Sequence, residues 1–458
     1  MKSVAILCLV VLCVAVPQQA LAGNDSSYFM GTTAAMTGGT AVASDGDPAA
    51  VWYNPAGLAT IDRNKVDLMM TVFSWQRRPI ESGLAVKYAD IERTVDLDGS
   101  QVHVASPSSV IVHRFSELTV GAGLFVTGDE HVRTAGETSW FGSGEAQRLD
   151  AQVTLQRNRY HGGVALGAQV AQGLRLGCAL FGVYESGDRD YDFAIGWTAP
   201  GLTFTRQLYG HDVSDRYGVQ VSAGAQLALS KFLTLGVTLR SPTVLLYEGG
   251  ESRRFSTTAA TGANVQAPTH RLDAEGNVRD RAQVGLWEPA RVTAGIGLNF
   301  SGVALNAEAE FAHALRSLPV NLQTEATTTS VDLVQLNPLF NARAGALISL
   351  FDSVQLGFGL FTDHSADAVA PELAQFAVDY YGATAGIQYE TEVQLGAEER
   401  VGQMVFRTGL SARYAYGSGS SAQLAVDLRD PAQATQSQLP VDVRFHEFHL
   451  VWGTSAHF

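Results

Sequence analysis

Alternation with a period of two runs through most of this chain and constrains its fold more than any other feature. Leu118, Val120, Ala122, Leu124 and Val126 alternate with Thr119, Gly121, Gly123, Phe125 and Thr127. The pattern recurs at Tyr217, Val219, Val221, Ala223 and Ala225, and again at Val292, Ala294, Ile296 and Leu298. Successive side chains of a strand point to opposite faces, so each segment is a strand with one apolar face and one polar or small face. The segments pair across turns as short as Ser116-Glu117, Gln172-Gly173, Ser230-Lys231, Ser301-Gly302 and Asp352-Ser353. Between the pairs lie long polar stretches, at 76–107, 128–155, 186–214, 247–287, 314–337, 365–378 and 418–440. This layout predicts about 14 strands, the first near 65–75 and the last over 441–458.

The second face of these strands mixes Gly and Ala with isolated Arg, Glu, Gln and Asn. On the apolar face those charges would meet lipid, at about 2–4 kcal/mol each near the bilayer midplane. Their parity keeps them off it. A sheet that closes on itself has no open edge, the only β arrangement that hydrocarbon tolerates. Short turns at one end and long loops at the other match a barrel with periplasmic turns and extracellular loops. The expected fold is all-β: a closed antiparallel transmembrane β-barrel over 63–458, in the bacterial cell outer membrane and surrounded by its lipid and lipopolysaccharide. The chain closes on the alternation Phe448, Leu450, Trp452, Thr454, Ala456 and Phe458. This resembles the C-terminal strand that the barrel assembly machinery reads in outer-membrane proteins.

The other end predicts export. A lysine, an apolar run from Val4 to Val16 and Ala20-Leu21-Ala22 form the three regions of a signal peptide over 1–22. That run is too short to span a bilayer as a helix. Removal of the peptide leaves a single cysteine, Cys178, so an intramolecular disulfide is excluded. The net charge of −14 is scattered, with no basic patch interleaved with aromatics, and nucleic acid is not an expected partner. No G-x-S-x-G elbow occurs, and His446, Glu447 and His449 are the only suggestive cluster. We expect neither an enzyme nor a metal or cofactor site.

One stretch breaks the pattern: "DGDPAAVWYNPAGLA", Asp45 to Ala59. Asp47 and Pro48 read as a helix start, and Asn54-Pro55 as its stop, because the residue before proline disfavours the α region. With Met30-Gly31 and Gly38-Gly39-Thr40-Ala41-Val42-Ala43 upstream, this leader resembles the FadL/TodX family of outer-membrane transporters for hydrophobic compounds. The resemblance implies an N-terminal hatch, or plug, over 23–62 inside the lumen, with Asn54, Pro55 and Ala56 as its motif. It implies uptake of long-chain fatty acids or other hydrophobic molecules, and sideways release through a kinked third strand. Gly121 and Gly123 lie on the inward face of that strand; they permit either a gate or simply room for a plug. Inward parity also places Arg291, Arg343, Arg407 and Arg413 in the lumen, with Glu308, Glu310, Asp363, Glu390 and Glu447. These arginines either brace the wall through ion pairs or hold the carboxylate of a ligand. Trp140, Phe141, Phe193, Trp197, Phe204 and Tyr209 read as a capture groove in the loops or as an interfacial girdle. The alternative function is a non-transporting scaffold or shuttle barrel of the same superfamily that binds exported proteins.

Overall fold

Segments with one apolar face find their neighbours in chain order. A computed structural model describes residues 28–88, 91–103, 107–142, 145–199, 202–262, 269–281, 285–316, 320–323, 328–331, 335–366, 376–395, 402–427 and 435–458. The expected signal peptide lies outside them. Fourteen strands form the wall: β1 (Lys65–Arg77), β2 (Pro107–Phe115), β3 (Leu118–Gly142), β4 (Glu145–Ala171), β5 (Leu174–Ala199), β6 (Leu202–Ser230), β7 (Leu233–Arg240), β8 (Arg291–Phe300), β9 (Val303–Ala312), β10 (Leu339–Phe351), β11 (Val354–Asp363), β12 (Phe376–Leu395), β13 (Gly402–Asp427) and β14 (Thr435–His457). Each pairs antiparallel with the next. β1 also pairs with β14, from Lys65 opposite His457 to Arg77 opposite His446, which closes the barrel.

The parity read from the sequence holds in the wall. Leu180 and Leu360 face outward and are 53% and 64% exposed, whereas Phe181, Glu185 and Gln226 face inward and are buried. A row of tyrosines, Tyr160, Tyr184, Tyr217 and Tyr247, bounds the apolar band, with ring centroids 6.0, 4.8 and 5.7 Å apart. From Leu176 to Tyr184 the outward face of β5 covers about 27 Å of strand. At a tilt of about 40° that rises about 21 Å, most of the roughly 25 Å apolar band of a membrane barrel.

Five of the expected loops are corrected. The stretches 128–155, 186–214 and 418–440 are largely ladder rather than loop: β3 to β6 and β13 hold 25, 27, 26, 29 and 26 residues. Thr243–Gly262, most of it in the expected 247–287 loop, pairs with the upper part of β6. Above the membrane both faces are wet, so the hydrogen-bonded ladder continues while the apolar alternation that marks it stops. The stretch 76–107 is also more than a loop. Ile80–Tyr88 and Ile91–Leu97 form a hairpin that buries Ile80, Leu84, Val95 and Leu97. It pairs parallel with the end of β13, Leu84 opposite Leu424, and bridges to β3 from Asp98 to Ala135.

β3 carries an irregularity with consequences. Val126 lies opposite Tyr160 and Gly128 opposite Arg159, so Thr127 is one residue too many. Such a bulge bends a strand and changes its register. Inward positions switch from Gly121, Gly123 and Phe125 to Val132 and Thr134. A period-two reading ends at 127 for this reason.

Candidate functional site

The N-terminal segment from Tyr28 to Ile61 lies inside the barrel, towards its short-turn end. Helix α1 (Thr32–Met36) packs against β11 to β14; helix α2 (Ala50–Tyr53) and a 3-10 helix over Pro55–Thr60 pack against β3 to β6. Short helical turns satisfy most of their own backbone groups, which lets the segment be buried without joining the sheet. The wall makes room for it with inward glycines. A side chain at Gly121 would overlap Val51, one at Gly177 the backbone of Pro55 and Ala56, and one at Gly236 the Val42 carbonyl. One at Gly345 or Gly359 would overlap the backbone at Thr37 or Gly38.

Asn54 is the joint of the segment. It is extended, with φ −154° and ψ 102°, and Pro55 opens the next helix. Its amide oxygen accepts from the Ala56 N–H at 3.1 Å, while Nδ2 donates to the Val42 carbonyl at 2.7 Å and the Ala225 carbonyl of β6 at 3.2 Å. Asn54 is fully buried, so Asn54→Ala would leave these groups without a partner. We expect it to lower the local opening free energy of the segment by about 1–3 kcal/mol, measurable as faster amide exchange around Val42 and Ala56. At the start of α2, the Asp47 carboxylate accepts from the Ala49 N–H at 2.9 Å. Burial pushes this carboxyl above its ordinary range, against the pull of that N–H and of Lys65.

The wall also ties the segment by polar contacts. Glu308 of β9 accepts from the N–H groups of Ala41 and Val42 at 2.6 and 2.5 Å. Thr384 of β12 accepts from the Gly38 N–H and donates to the Met36 carbonyl, at 2.9 and 2.8 Å. Thr238 and Arg240 of β7 donate to the carbonyls of Tyr53 and Trp52, at 2.9 and 2.7 Å.

A cavity lies above the segment, between Phe29, Val42, Trp52 and Tyr53 on one side and the wall on the other. The wall supplies Arg159, His161, Arg240, Arg291 and Arg343, with Glu288 and Glu310. Arg159 pairs with Glu185 at 2.7 Å and with Glu288 at 2.5 Å, all three buried. The His161 ring lies 2.9 Å from Thr127 Oγ1 through Nδ1, and Trp52 meets it edge-on at 5.0 Å. The guanidinium of Arg240 lies 3.9 Å over the Trp52 ring. Among the described residues it makes no ion pair. The cavity therefore offers cationic groups beside aromatic faces.

No family model matches the sequence, and no curated protein matches it at a significant level. Solved structures do. The toluene transporter TodX of Pseudomonas putida matches with 15% identity over 94% of this chain and 99% of its own, at a TM-score of 0.60. A Pseudomonas aeruginosa FadL homologue matches with 13% identity over 95% and 99%, at 0.58. The chain has the FadL/TodX barrel fold. The Ralstonia pickettii toluene transporter TbuX shares it too, with 15% identity over 94% and 98% and a TM-score of 0.54.

In this FadL/TodX-type barrel the four arginines read from parity do not form one group. Arg291 and Arg343 both reach Glu310, at 3.6 and 3.8 Å, and line the cavity. Arg407 pairs with Glu390 at 2.6 Å near the short-turn end. Arg413 lies 3.5 Å from Glu447 and stacks 4.6 Å over the Phe361 ring. Arg159 and Arg240 complete the cavity and were legible by parity: Arg240 follows Gly236 and Thr238 on the inward face of β7. Gly121 and Gly123 lie where β3 is paired on both sides; Gly121 makes room for Val51, and Gly123 for the Phe125 ring. Glu447 and His449 share the inward face, 3.7 Å apart, while His446 faces outward and meets the Tyr414 hydroxyl. Of the loop aromatics, Phe193 is buried beside Tyr191 and Tyr209 donates to Asp190. The side chains of Trp140, Phe141, Trp197 and Phe204 lie outside the described residues. On the outward ribbons Asp188, Asp190 and His211 cluster, because Asp190 lies in register with His211 and bonds it at 2.8 Å.

Proposed function

We propose that this protein is an outer-membrane channel that takes up fatty acids or other hydrophobic molecules and releases them sideways into the membrane. The observation that carries the lateral route is the unequal pairing of β3. Its ladder with β4 runs from Leu118 to Gly142, but its ladder with β2 ends where Leu124 meets Ser109. Beyond that point the edge next meets the β1 side at His131, whose carbonyl accepts from Gln101, and at Ala135, opposite Asp98. On this edge Phe125 and Val126 have no ladder partner among the described residues; positions 104–106, which the register would bring opposite Thr127 to Asp129, lie outside them. Pro107, which opens β2, has no N–H to extend the ladder. The bulge at Thr127 falls in the same interval, and the hatch fills the short-turn end, so a solute in the lumen has this side as an outlet. The fold shared with the toluene transporters and the FadL homologue supports the same reading.

Cells that make the protein are expected to accumulate labelled oleate or toluene faster than cells without it. A diazirine-bearing fatty acid, irradiated during uptake, is expected to label Phe125–Glu130 and the start of β2. Label confined to the short-turn end would overturn the lateral route. Equal accumulation with and without the protein, for both compounds, would overturn uptake itself and favour the scaffold reading.

A further inference from the structure

We propose that Glu308 is the latch that holds the hatch to the wall, and that Arg343 lets the latch sense an anion in the cavity. This rests on the hatch reading above. Glu308 projects inward from the middle of β9 and is 5% exposed. One carboxylate oxygen, Oε1, receives two successive backbone N–H groups, those of Ala41 and Val42. Bonds from N–H groups to a carboxylate are about twice as strong as neutral ones. Two of them on adjacent residues fix the direction of the chain as well as its position. Val42 is also where Asn54 and Gln226 converge, since both donate to its carbonyl. Residues 41 and 42 are thus the point at which the two halves of the hatch are held together and to the wall.

The other oxygen, Oε2, is buried and has no hydrogen-bond partner among the described residues. A buried carboxylate with an unbonded oxygen is costly unless a countercharge is near. Arg343 supplies one. It lies directly opposite Glu308 in the β9–β10 ladder, the position at which cross-strand side chains meet. Arg343 also lines the cavity and reaches Glu310 at 3.8 Å. The same guanidinium therefore stands between the latch and the cavity. An anionic group that draws Arg343 into the cavity leaves the Glu308 carboxylate buried without compensation, and that cost favours an opened state in which water reaches the carboxylate and Ala41 and Val42 are released. Neutral solutes leave Arg343 where it is. Arg343 acts here through Glu308 as a positioning residue.

Amide exchange over residues 38–44 in the detergent-solubilised full chain tests this, with heat-modifiable migration as the check that the barrel is folded. Glu308→Ala is expected to speed exchange at Ala41 and Val42 at least tenfold. Glu308→Gln keeps an acceptor without the charge and is expected to lie between Ala and wild type. Laurate is expected to speed exchange in wild type while dodecanol does not, and Arg343→Met is expected to mimic laurate. In the Glu308→Gln background neither laurate nor Arg343→Met should change the rate, because no charge remains to lose its partner. Wild-type protection in Glu308→Ala would overturn the latch. An equal response to laurate and dodecanol, or a laurate response that survives in Glu308→Gln, would overturn the link through Arg343. None of these readouts depends on transport, so a failure of uptake is scored separately.

Discussion

Gly359→Val is expected to unseat the hatch and open an aqueous path through a barrel that remains folded. A side chain at Gly359 would overlap the backbone of Thr37 and Gly38, and backbone cannot swing aside as a flexible side chain does. Valine suits a strand, so the wall itself gains nothing unfavourable. Overpacking of a tight contact costs about 1–3 kcal/mol, which shifts a seated-to-unseated ratio by about 5- to 150-fold. Here the overlap is with main chain on both neighbours, which argues for the upper part of that range. Gly177→Val attacks the other half of the hatch, where the overlap is with Pro55 and Ala56. In planar bilayers each variant should show frequent large conductance steps where the wild type is mostly closed, and the double variant more. Cells carrying them should become sensitive to bulky hydrophilic antibiotics. A folded Gly359→Val barrel with wild-type conductance would mean that the hatch is not what closes the lumen.

The wall was legible because each membrane-crossing segment obeys two rules at once, apolar outward and small or polar inward. Leu176, Leu180 and Tyr184 on one parity, with Gly177, Phe181 and Glu185 on the other, specify both the strand and its facing. The short-helix N-terminal segment was legible for a different reason. Asp47-Pro48 and Asn54-Pro55 are local signals, readable without any partner, whereas the inward glycines left a gate and room for a plug equally open. What lay beyond reading is equally physical. Above the tyrosine row the ladder persists with no apolar face to mark it, so the ribbons of β3 to β6 looked like loops. The extra residue at Thr127 reverses parity midway along β3. The hairpin over 80–97 is interrupted by Ser82 at φ 53°, with a register shift between Ile80 and Leu84, so its buried residues follow no simple period. As for the cavity, parity places Arg291, Arg343, Arg407 and Arg413 on one face. It carries no information on height, and height separates the pair at the cavity from Arg407 near the turns.

The second large effect expected is on stability, from the ion cluster at Arg159. This guanidinium lies between Glu185 and Glu288, and all three side chains are no more than 6% exposed. Thr243 and Gln220 donate to Glu288 as well, and Arg216 reaches Glu185 at 3.3 Å. Arg159→Met keeps the volume of the stem and removes the charge, which leaves two carboxylates buried at one site with less compensation. Breaking a buried pair from one side costs about 3–5 kcal/mol. The barrel should therefore unfold at clearly lower urea or temperature, followed by heat-modifiable migration. If the cost is that of stranded charge rather than lost packing, neutralising the partners must recover it. The triple variant Arg159→Met, Glu185→Gln, Glu288→Gln is expected to regain most of the loss, because breaking the pair is costly where replacing it as a whole need not be. A triple variant no more stable than Arg159→Met would show that the Arg159 stem and its stacking on Trp287, 5.3 Å away, carry the stability instead. The Trp52 contact with His161 links this cluster to the hatch, so the conductance of the same variants reports whether bracing the wall also seats the plug.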